Sequence, residues 1–170
     1  LYLRGTGNTK IESTQEPAPW IINGVDVRCN GNIETLLDYA TVEAGHHPTM
    51  ATYCYSFMFF GCTALTQAPA LPATTLTDYC YAAMFSGCTS LIQVPSLSAT
   101  TLADSCYANM FNGCTSLTQA PVLPATTLAG HCYASMFRNC TSLVQVPVLP
   151  ATTLANYCYQ SMFQGCTSLT

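Results

Sequence analysis

The residues of this chain most able to do chemistry are its 11 cysteines, ten of which form two series with a constant step of 26 residues. Thiolates attack electrophiles and bind metals, and paired thiols form disulfides. A constant step places identical thiols side by side with parallel side-chain directions, which does not favour a disulfide between neighbours. We therefore interpret them as reduced core residues, since Cys is often buried as a small hydrophobe. The first series is Cys54, Cys80, Cys106, Cys132 and Cys158, and the second is Cys62, Cys88, Cys114, Cys140 and Cys166.

Other groups that could carry chemistry each have a simpler interpretation. His131 and Cys132 could form a nucleophilic pair, but this Cys falls on a predicted buried stripe and no other repeat has a preceding His. His46 and His47 could ligate a metal, but no Cys or acidic partner stands at ligand spacing, so a surface loop is preferred. Carboxylate pairs suited to acid–base catalysis are absent from the sequence. We predict no catalytic site, no metal site and no cofactor.

The residues between the cysteines repeat as well, with the unit C-Y-x-x-M-F-x-G-C-T-S-L-x-Q-x-P-x-L-P-A-T-T-L-x-x-x. A period between 20 and 50 residues is typical of solenoids and other repeat arrays. The predicted fold is an α/β repeat solenoid with one short strand and one short helix in each 26-residue repeat. Residues 51–170 hold about 4.5 repeats and end within a repeat, and residues 1–50 are predicted to form an N-terminal cap.

Each repeat carries signals for a short helix at its start. Residues of helix N-cap type stand two positions before every first-series Cys, and Gly or Asn precedes every second-series Cys. These signals predict a two-turn helix over 79–86 and over the equivalent residues of the other repeats. Its buried stripe would be Cys80, Tyr81, Met84 and Phe85, with the residues that vary between repeats on the opposite face.

A short strand ended by proline is predicted after each helix. Alternation places Thr66, Ala68 and Ala70 inward, so that Gln and Pro face outward in ladders. The competing interpretation buries the Gln side chains, whose amides would then hydrogen-bond along the stack. The outward ladders are the candidate binding surface, formed by Gln67, Gln93, Gln119, Gln145, Pro69, Pro95, Pro121 and Pro147.

The N-terminal cap is predicted to contain a hairpin, a short helix and a degraded first coil. Asn-Gly at 23–24, between two apolar runs, is a strong hairpin signal. Asn32 is placed to cap a short helix, and the residues from about 39 onward are in register with the repeats. Phe57 and Phe60 interrupt the polar face of the first repeat, so we expect the cap to cover them, with Trp20 as the candidate side chain.

Charge is scarce and unevenly distributed. Charged residues make up 7% of the chain, the net charge is −4, and beyond residue 50 only Asp78, Asp104 and Arg138 carry charge. Such a surface lacks the basic footprint that nucleic acid or anionic membrane requires. No apolar run is long enough to insert into a bilayer. The chain starts and stops abruptly, so we expect a segment of a longer protein whose open C-terminal end self-associates end to end or is covered by further repeats.

The repeated M-F-x-G-C-T-S-L pattern with its proline-ended strand resembles the leucine-rich repeats, and more narrowly the BspA-like class of bacterial surface proteins. Met84, Phe85 and Cys88 match its hydrophobic-Phe-x-x-Cys step, while Leu91 and Val94 take its strand positions. The resemblance covers about residues 50–170. It implies a right-handed curved solenoid, location outside the cell or on the bacterial surface, and adhesion or host contact without catalysis.

These observations lead to a non-enzymatic module that binds a protein or a glycan through its repeat surface. The alternative from another class is a structural spacer with no ligand of its own, which the regular surface favours. The Thr-Thr pairs, which recur every 26 residues, suggest ice binding as a more distant hypothesis. The preferred interpretation is an extended corner segment whose hydroxyls hydrogen-bond to the backbone. The Tyr ladder that begins at Tyr55 could stack sugar rings, but we prefer a half-buried core ladder with its hydroxyls at the surface.

Overall fold

The chain was analysed as a computed structural model that describes residues 3–9, 19–20, 22 and 24–170. Its regular elements are few: strand β1 (Val27–Arg28), a 3-10 helix (Ile33–Leu36), helix α1 (Tyr39–Glu43) and strand β2 (Leu65–Gln67). Strands β1 and β2 pair in parallel, so the N-terminal region joins the repeats through backbone hydrogen bonds. The predicted hairpin includes residues 21 and 23, which lie outside the described residues.

The short helix predicted in the cap is confirmed, as a 3-10 helix. The Oδ1 atom of Asn32 accepts the Glu34 N–H at 2.8 Å and so satisfies one of the donors that a helix start leaves free. Glu34 itself is 1% exposed, and its carboxylate lies 2.8 Å from Nδ1 of His47. His47 is therefore the partner of a buried carboxylate rather than an unengaged loop residue.

We number the repeats one to five by their first-series cysteine, from Cys54 to Cys158. The helix predicted at the start of each repeat is wrong, because residues 79–86 form a run of turns. Even-numbered residues bond locally, as when the Cys80 N–H donates to the Thr77 carbonyl. Odd-numbered residues bond to the next repeat, as when the Tyr81 N–H donates to the Cys106 carbonyl at 3.0 Å. Half of the donors that a helix would use internally therefore join the repeats.

The turn run needs a left-handed residue at every fourth position. In the second repeat these residues are Tyr79, Ala83 and Gly87, with φ of 55°, 51° and 77°. Gly or Asn precedes each second-series Cys, and both tolerate this conformation, as Gly87 and Asn139 (φ 59°) show. The residues expected to cap a helix bond between repeats instead. The Asp78 Oδ1 accepts the N–H of Asp104 in the next repeat at 3.1 Å.

The inter-repeat hydrogen bonds of the turn runs all point the same way. Odd-numbered N–H groups of the first repeat donate to even-numbered carbonyls of the second, and the same pattern joins the later repeats up to the fifth. Between the first two repeats the donor–acceptor pairs are Tyr53–Asp78, Tyr55–Cys80, Phe57–Ala82, Phe59–Met84 and Gly61–Ser86. Equivalent side chains are thereby held next to one another along the stack.

The core consists of columns of identical side chains. The predicted buried stripe is confirmed, because Cys80, Tyr81, Met84 and Phe85 are each at most 1% exposed. Stacked tyrosine rings of successive repeats lie 5.5–5.9 Å apart, and the phenylalanine rings lie 5.5–5.8 Å apart. The expectation of surface tyrosine hydroxyls is wrong, since those of Tyr81 and Tyr133 are buried without a hydrogen-bond partner.

The cysteines fill the core as reduced thiols. All 11 lie within the described residues and all are free. Nine are buried, which confirms the core interpretation for them, while Cys29 and Cys166 are half-buried. The second series has a specific role, because each thiol from Cys88 onward donates to the carbonyl of a Phe in the preceding repeat, and the Cys62 thiol donates to the Trp20 carbonyl. The Cys88 thiol donates to the Phe59 carbonyl at 3.0 Å, and the Cys114 thiol donates to that of Phe85 at 3.2 Å. A polar atom inside the core is thus satisfied by the backbone of its neighbour.

The segment that follows each turn run pairs in parallel with its neighbours at single positions. Bridges join Gln67 to Gln93, Leu71 to Leu97 and Thr75 to Thr101, among others. The predicted alternation is wrong in the first two repeats, because Ala70 and Ile92, expected inward, are exposed, while Pro69 and Pro95 are buried. Because Pro has no backbone N–H, its burial leaves no unsatisfied donor in the core.

Trp20 joins the described part of the cap to the first repeat. Its backbone N–H donates to the Met58 carbonyl at 2.9 Å. Its ring and that of Phe59 pack edge to face with centroids 6.1 Å apart. The expectation that the cap covers Phe57 and Phe60 is wrong, because Phe57 is only half-buried and Phe60 is 39% exposed.

Candidate binding groove

The predicted binding surface separates into two environments. The Gln ladder faces outward as predicted, since Gln67 is half-buried and Gln93, Gln119 and Gln145 are exposed. The Pro ladder does not share this surface, because Pro69, Pro95 and Pro121 are buried and Pro147 is half-buried. The prediction that the Pro ladder faces outward beside the Gln ladder is therefore wrong.

A cavity of about 380 Å³ lies at the start of the Gln ladder, between the cap and the first two repeats. Asn30, Gln67, Ser96 and Ser98 contribute polar side chains, and Pro69 and Pro95 contribute part of its apolar lining. The Gln67 amide already donates to the Asn30 Oδ1 at 2.7 Å. The first Gln of the ladder is thus held by the cap, which reduces what it can offer to a ligand.

A second cavity, of about 410 Å³, lies on the turn runs of the first three repeats, and we call it the aromatic groove. Phe57 and Phe60 of the first repeat line one side of it. Asn109 and Asn112 of the third repeat line the other side. The second repeat supplies the small floor residues Ala82, Ala83 and Ser86, together with Tyr79.

The groove exists because the second repeat has small side chains where its neighbours have large ones. Ala83 is equivalent to Phe57 and Asn109, and hydrogen bonds join the repeats at this level, with Phe57 donating to Ala82 at 3.0 Å and Ala83 donating to Ala108 at 2.8 Å. Adjacent strands lie about 4.8 Å apart, so the two walls are separated by roughly 10 Å. In the core columns, equivalent positions of successive repeats carry identical side chains, whereas this row changes from Phe to Ala to Asn.

The two walls differ in chemistry. Phe57 and Phe60 meet edge to face with centroids 5.8 Å apart, which leaves Phe60 partly open to solvent. Across the groove, the Asn112 side-chain N–H donates to the Asn109 Oδ1 at 3.4 Å. This contact leaves the Asn109 amide N–H groups and the Asn112 amide oxygen without a hydrogen-bond partner among the described residues. The groove therefore has one aromatic wall and one amide wall.

Paired aromatic rings stand at the end of the groove where the turn run starts. Tyr53 and Tyr79 stack with centroids 4.7 Å apart and their planes 15° apart. The third repeat has Ser105 at the equivalent position, and the stack resumes with His131 on Tyr157 at 5.0 Å. All these residues have φ between 52° and 61°, the left-handed conformation that begins each turn run.

The thiols of the repeats are unsuited to chemistry. Burial raises the pKa of Cys80 to about 12 and that of Cys132 to about 11, so both stay neutral at physiological pH. Cys132 is also completely buried, while the preceding His131 points its ring at Tyr157, which excludes the nucleophilic pair. Within the described residues, no three His, Cys, Asp or Glu side chains come together as metal ligands.

Sequence reasoning missed the aromatic groove although its signal was present. Treating the variable positions as one polar helix face hides how their side chains differ from one repeat to the next. Aligned by repeat, positions 57, 83 and 109 carry Phe, Ala and Asn, and positions 60, 86 and 112 carry Phe, Ser and Asn. A large–small–large column of this kind predicts a depression wherever equivalent positions stack.

Comparisons of this chain with protein-family models, with curated proteins and with solved structures find no match. The meaning of the groove therefore rests on its own geometry. Among the residues that the structure describes, no helix combines the length and the apolar character needed to cross a membrane.

Proposed function

We propose that this chain is a non-catalytic binding module that contacts a protein or a glycan through its repeats. The aromatic groove carries this proposal, because it is a local break in an otherwise repeated surface. A depression with exposed Phe60 on one side and two side-chain amides on the other has the mixed apolar and polar lining of a recognition site.

The absence of charge at the groove supports recognition by shape and hydrogen bonds. Its lining residues are aromatic, aliphatic, hydroxyl-bearing or amide-bearing, and none is charged. The buried, neutral thiols supply no nucleophile to the surface, so binding rather than catalysis is the function that this chemistry supports.

We also propose, from the resemblance described above, that the repeats form a leucine-rich-repeat solenoid of the BspA-like class that acts on the bacterial surface or outside the cell. Parallel bridges between equivalent positions such as Leu71 and Leu97 support a stacked array. The turn runs depart from the expected helices, and the proposal therefore concerns the stacking of repeats rather than their helical content.

A spacer function remains the second candidate, and the outward threonines favour it. Thr75 and Thr101 bridge in parallel, as do Thr127 and Thr153, and all four are exposed in a regular row. A uniform row offers no single place for a specific ligand. If the spacer function is correct, the aromatic groove is an incidental result of sequence drift in the second repeat.

The experiment that separates the two functions exposes the whole chain to a glycan array and to proteins captured from host-cell surfaces. We expect specific binding whose affinity changes little between low and physiological salt, because no charged residue lines the groove. A steep loss of binding as salt rises would contradict recognition by uncharged groups. Failure to bind any glycan or protein would leave the spacer as the better explanation.

A further inference from the structure

We propose that the aromatic groove binds one neutral pyranose ring of a glycan. This proposal rests on the binding function proposed above and specifies the site and the class of ligand. It follows from three properties of the groove: its two unlike walls, its width and its lack of charge.

The walls match the two kinds of surface that a pyranose presents. The faces of the sugar ring carry C–H groups, which pack on aromatic side chains, and Phe57 and Phe60 provide such a surface. The hydroxyl groups lie around the ring edge, where each both donates and accepts hydrogen bonds. Asn109 and Asn112 offer free amide donors and an acceptor on the opposite side of the groove.

The width of the groove suits a single ring. Its walls belong to the first and third repeats and are therefore separated by roughly 10 Å. A ring packed at about 3.5–4 Å from the Phe wall lies roughly 6 Å from the Asn wall, a distance that one bridging water spans between a hydroxyl and an amide. The methyl groups of Ala82 and Ala83 form an apolar floor beneath it.

The uncharged lining selects against acidic sugars. A carboxylate or sulfate placed in the groove would lose hydration and find no cationic partner among the lining residues. A proline-rich peptide fits less well, because such peptides dock between aromatic side chains, whereas one wall here consists of amides. The neutral sugar is the ligand class that uses both walls.

Two variants of the whole chain test the site with residues that the chain itself carries at equivalent positions. Phe57→Ala combined with Phe60→Ser copies Ala83 and Ser86 and removes the aromatic wall. Ala83→Asn copies Asn109 and fills the floor of the groove. Ser135→Ala, in the fourth repeat and outside the groove, is the matched control. Circular dichroism and urea unfolding first establish that each variant is folded.

The probe is a panel of neutral and carboxylated hexopyranose oligosaccharides, titrated by calorimetry. We expect the unmodified chain and Ser135→Ala to bind neutral members, and both groove variants to lose about tenfold or more in affinity. Neutral-sugar binding that survives in both groove variants overturns the location of the site but not the binding function. Binding to proteins alone overturns the ligand class, and binding to neither overturns both proposals.

Discussion

Two adjacent alanines test the turn geometry of the repeats directly. Ala82 and Ala83 are similarly buried, at 7% and 6% exposure, but only Ala83 has a left-handed backbone, with φ of 51°. We expect Ala82→Gly to destabilise the chain clearly and Ala83→Gly to leave its stability almost unchanged. In an α-helix, both substitutions would cost the same, so the pair distinguishes turns from the helix that the sequence predicts.

The expected difference follows from three contributions to the free energy of unfolding. Removing a buried methyl group costs about 0.8 kcal/mol, and the greater freedom of Gly in the unfolded chain costs a further 0.4–1 kcal/mol or so. Ala82→Gly should therefore cost about 1.5 kcal/mol. At Ala83 the same losses are offset by relief of the left-handed strain, which is worth about 1–2 kcal/mol. The two variants should thus differ by about 1–2 kcal/mol.

Urea unfolding of the whole chain, followed by circular dichroism, measures this difference. The slope of the unfolding free energy with urea should be the same in the unmodified chain and both variants, so that the midpoints report stability alone. Equal midpoints for Ala82→Gly and Ala83→Gly would refute the placement of a left-handed residue at every fourth position of the turn run.

Three further predictions concern the core and the cap. Burial raises the folded-state pKa of Cys80 from 9.0 to about 12, so its contribution to stability is complete below pH 9 and is lost as pH rises toward 12. The free energy of unfolding, measured by urea titration, should fall over this range by about 1.4 kcal/mol per pH unit for each such thiol. A flat profile would contradict the burial. His47→Ala should lower the unfolding temperature more than His46→Ala, because only His47 pairs with the buried Glu34; equal effects would show that the pair does not stabilise the cap. Cys88→Ala should cost about 1–3 kcal/mol in urea unfolding, since it removes a buried sulfur and its hydrogen bond to the Phe59 carbonyl; a neutral substitution would show that the thiol is not needed there.

The buried columns could be predicted from the sequence because identical residues recur at one step. Cys80, Tyr81, Met84 and Phe85 return every 26 residues, and repeated apolar identity points to a packed ridge whatever the backbone does. Asn32 was predictable for a similar reason, because a cap acts through a side chain on donors close in sequence. Both predictions needed only local chemistry or strict repetition.

The backbone of the turn runs could not be predicted in the same way. The residues that favour caps and left-handed positions are common to a short helix and to a run of turns. Whether the Tyr81 N–H bonds within its own segment or to Cys106 depends on a neighbouring repeat that local sequence does not describe. A segment this short has little helical stability of its own, so inter-repeat bonds prevail.

By itself, the sequence determined the 26-residue step, the reduced and buried state of the thiols and the near absence of charge on the repeats. Only the tertiary structure decided which of the variable side chains face one another. Phe57, Ala83 and Asn109 are far apart in the chain, and inter-repeat hydrogen bonds place them in one row. The aromatic groove is a property of that row, because a depression is defined by neighbours in space rather than by any single repeat.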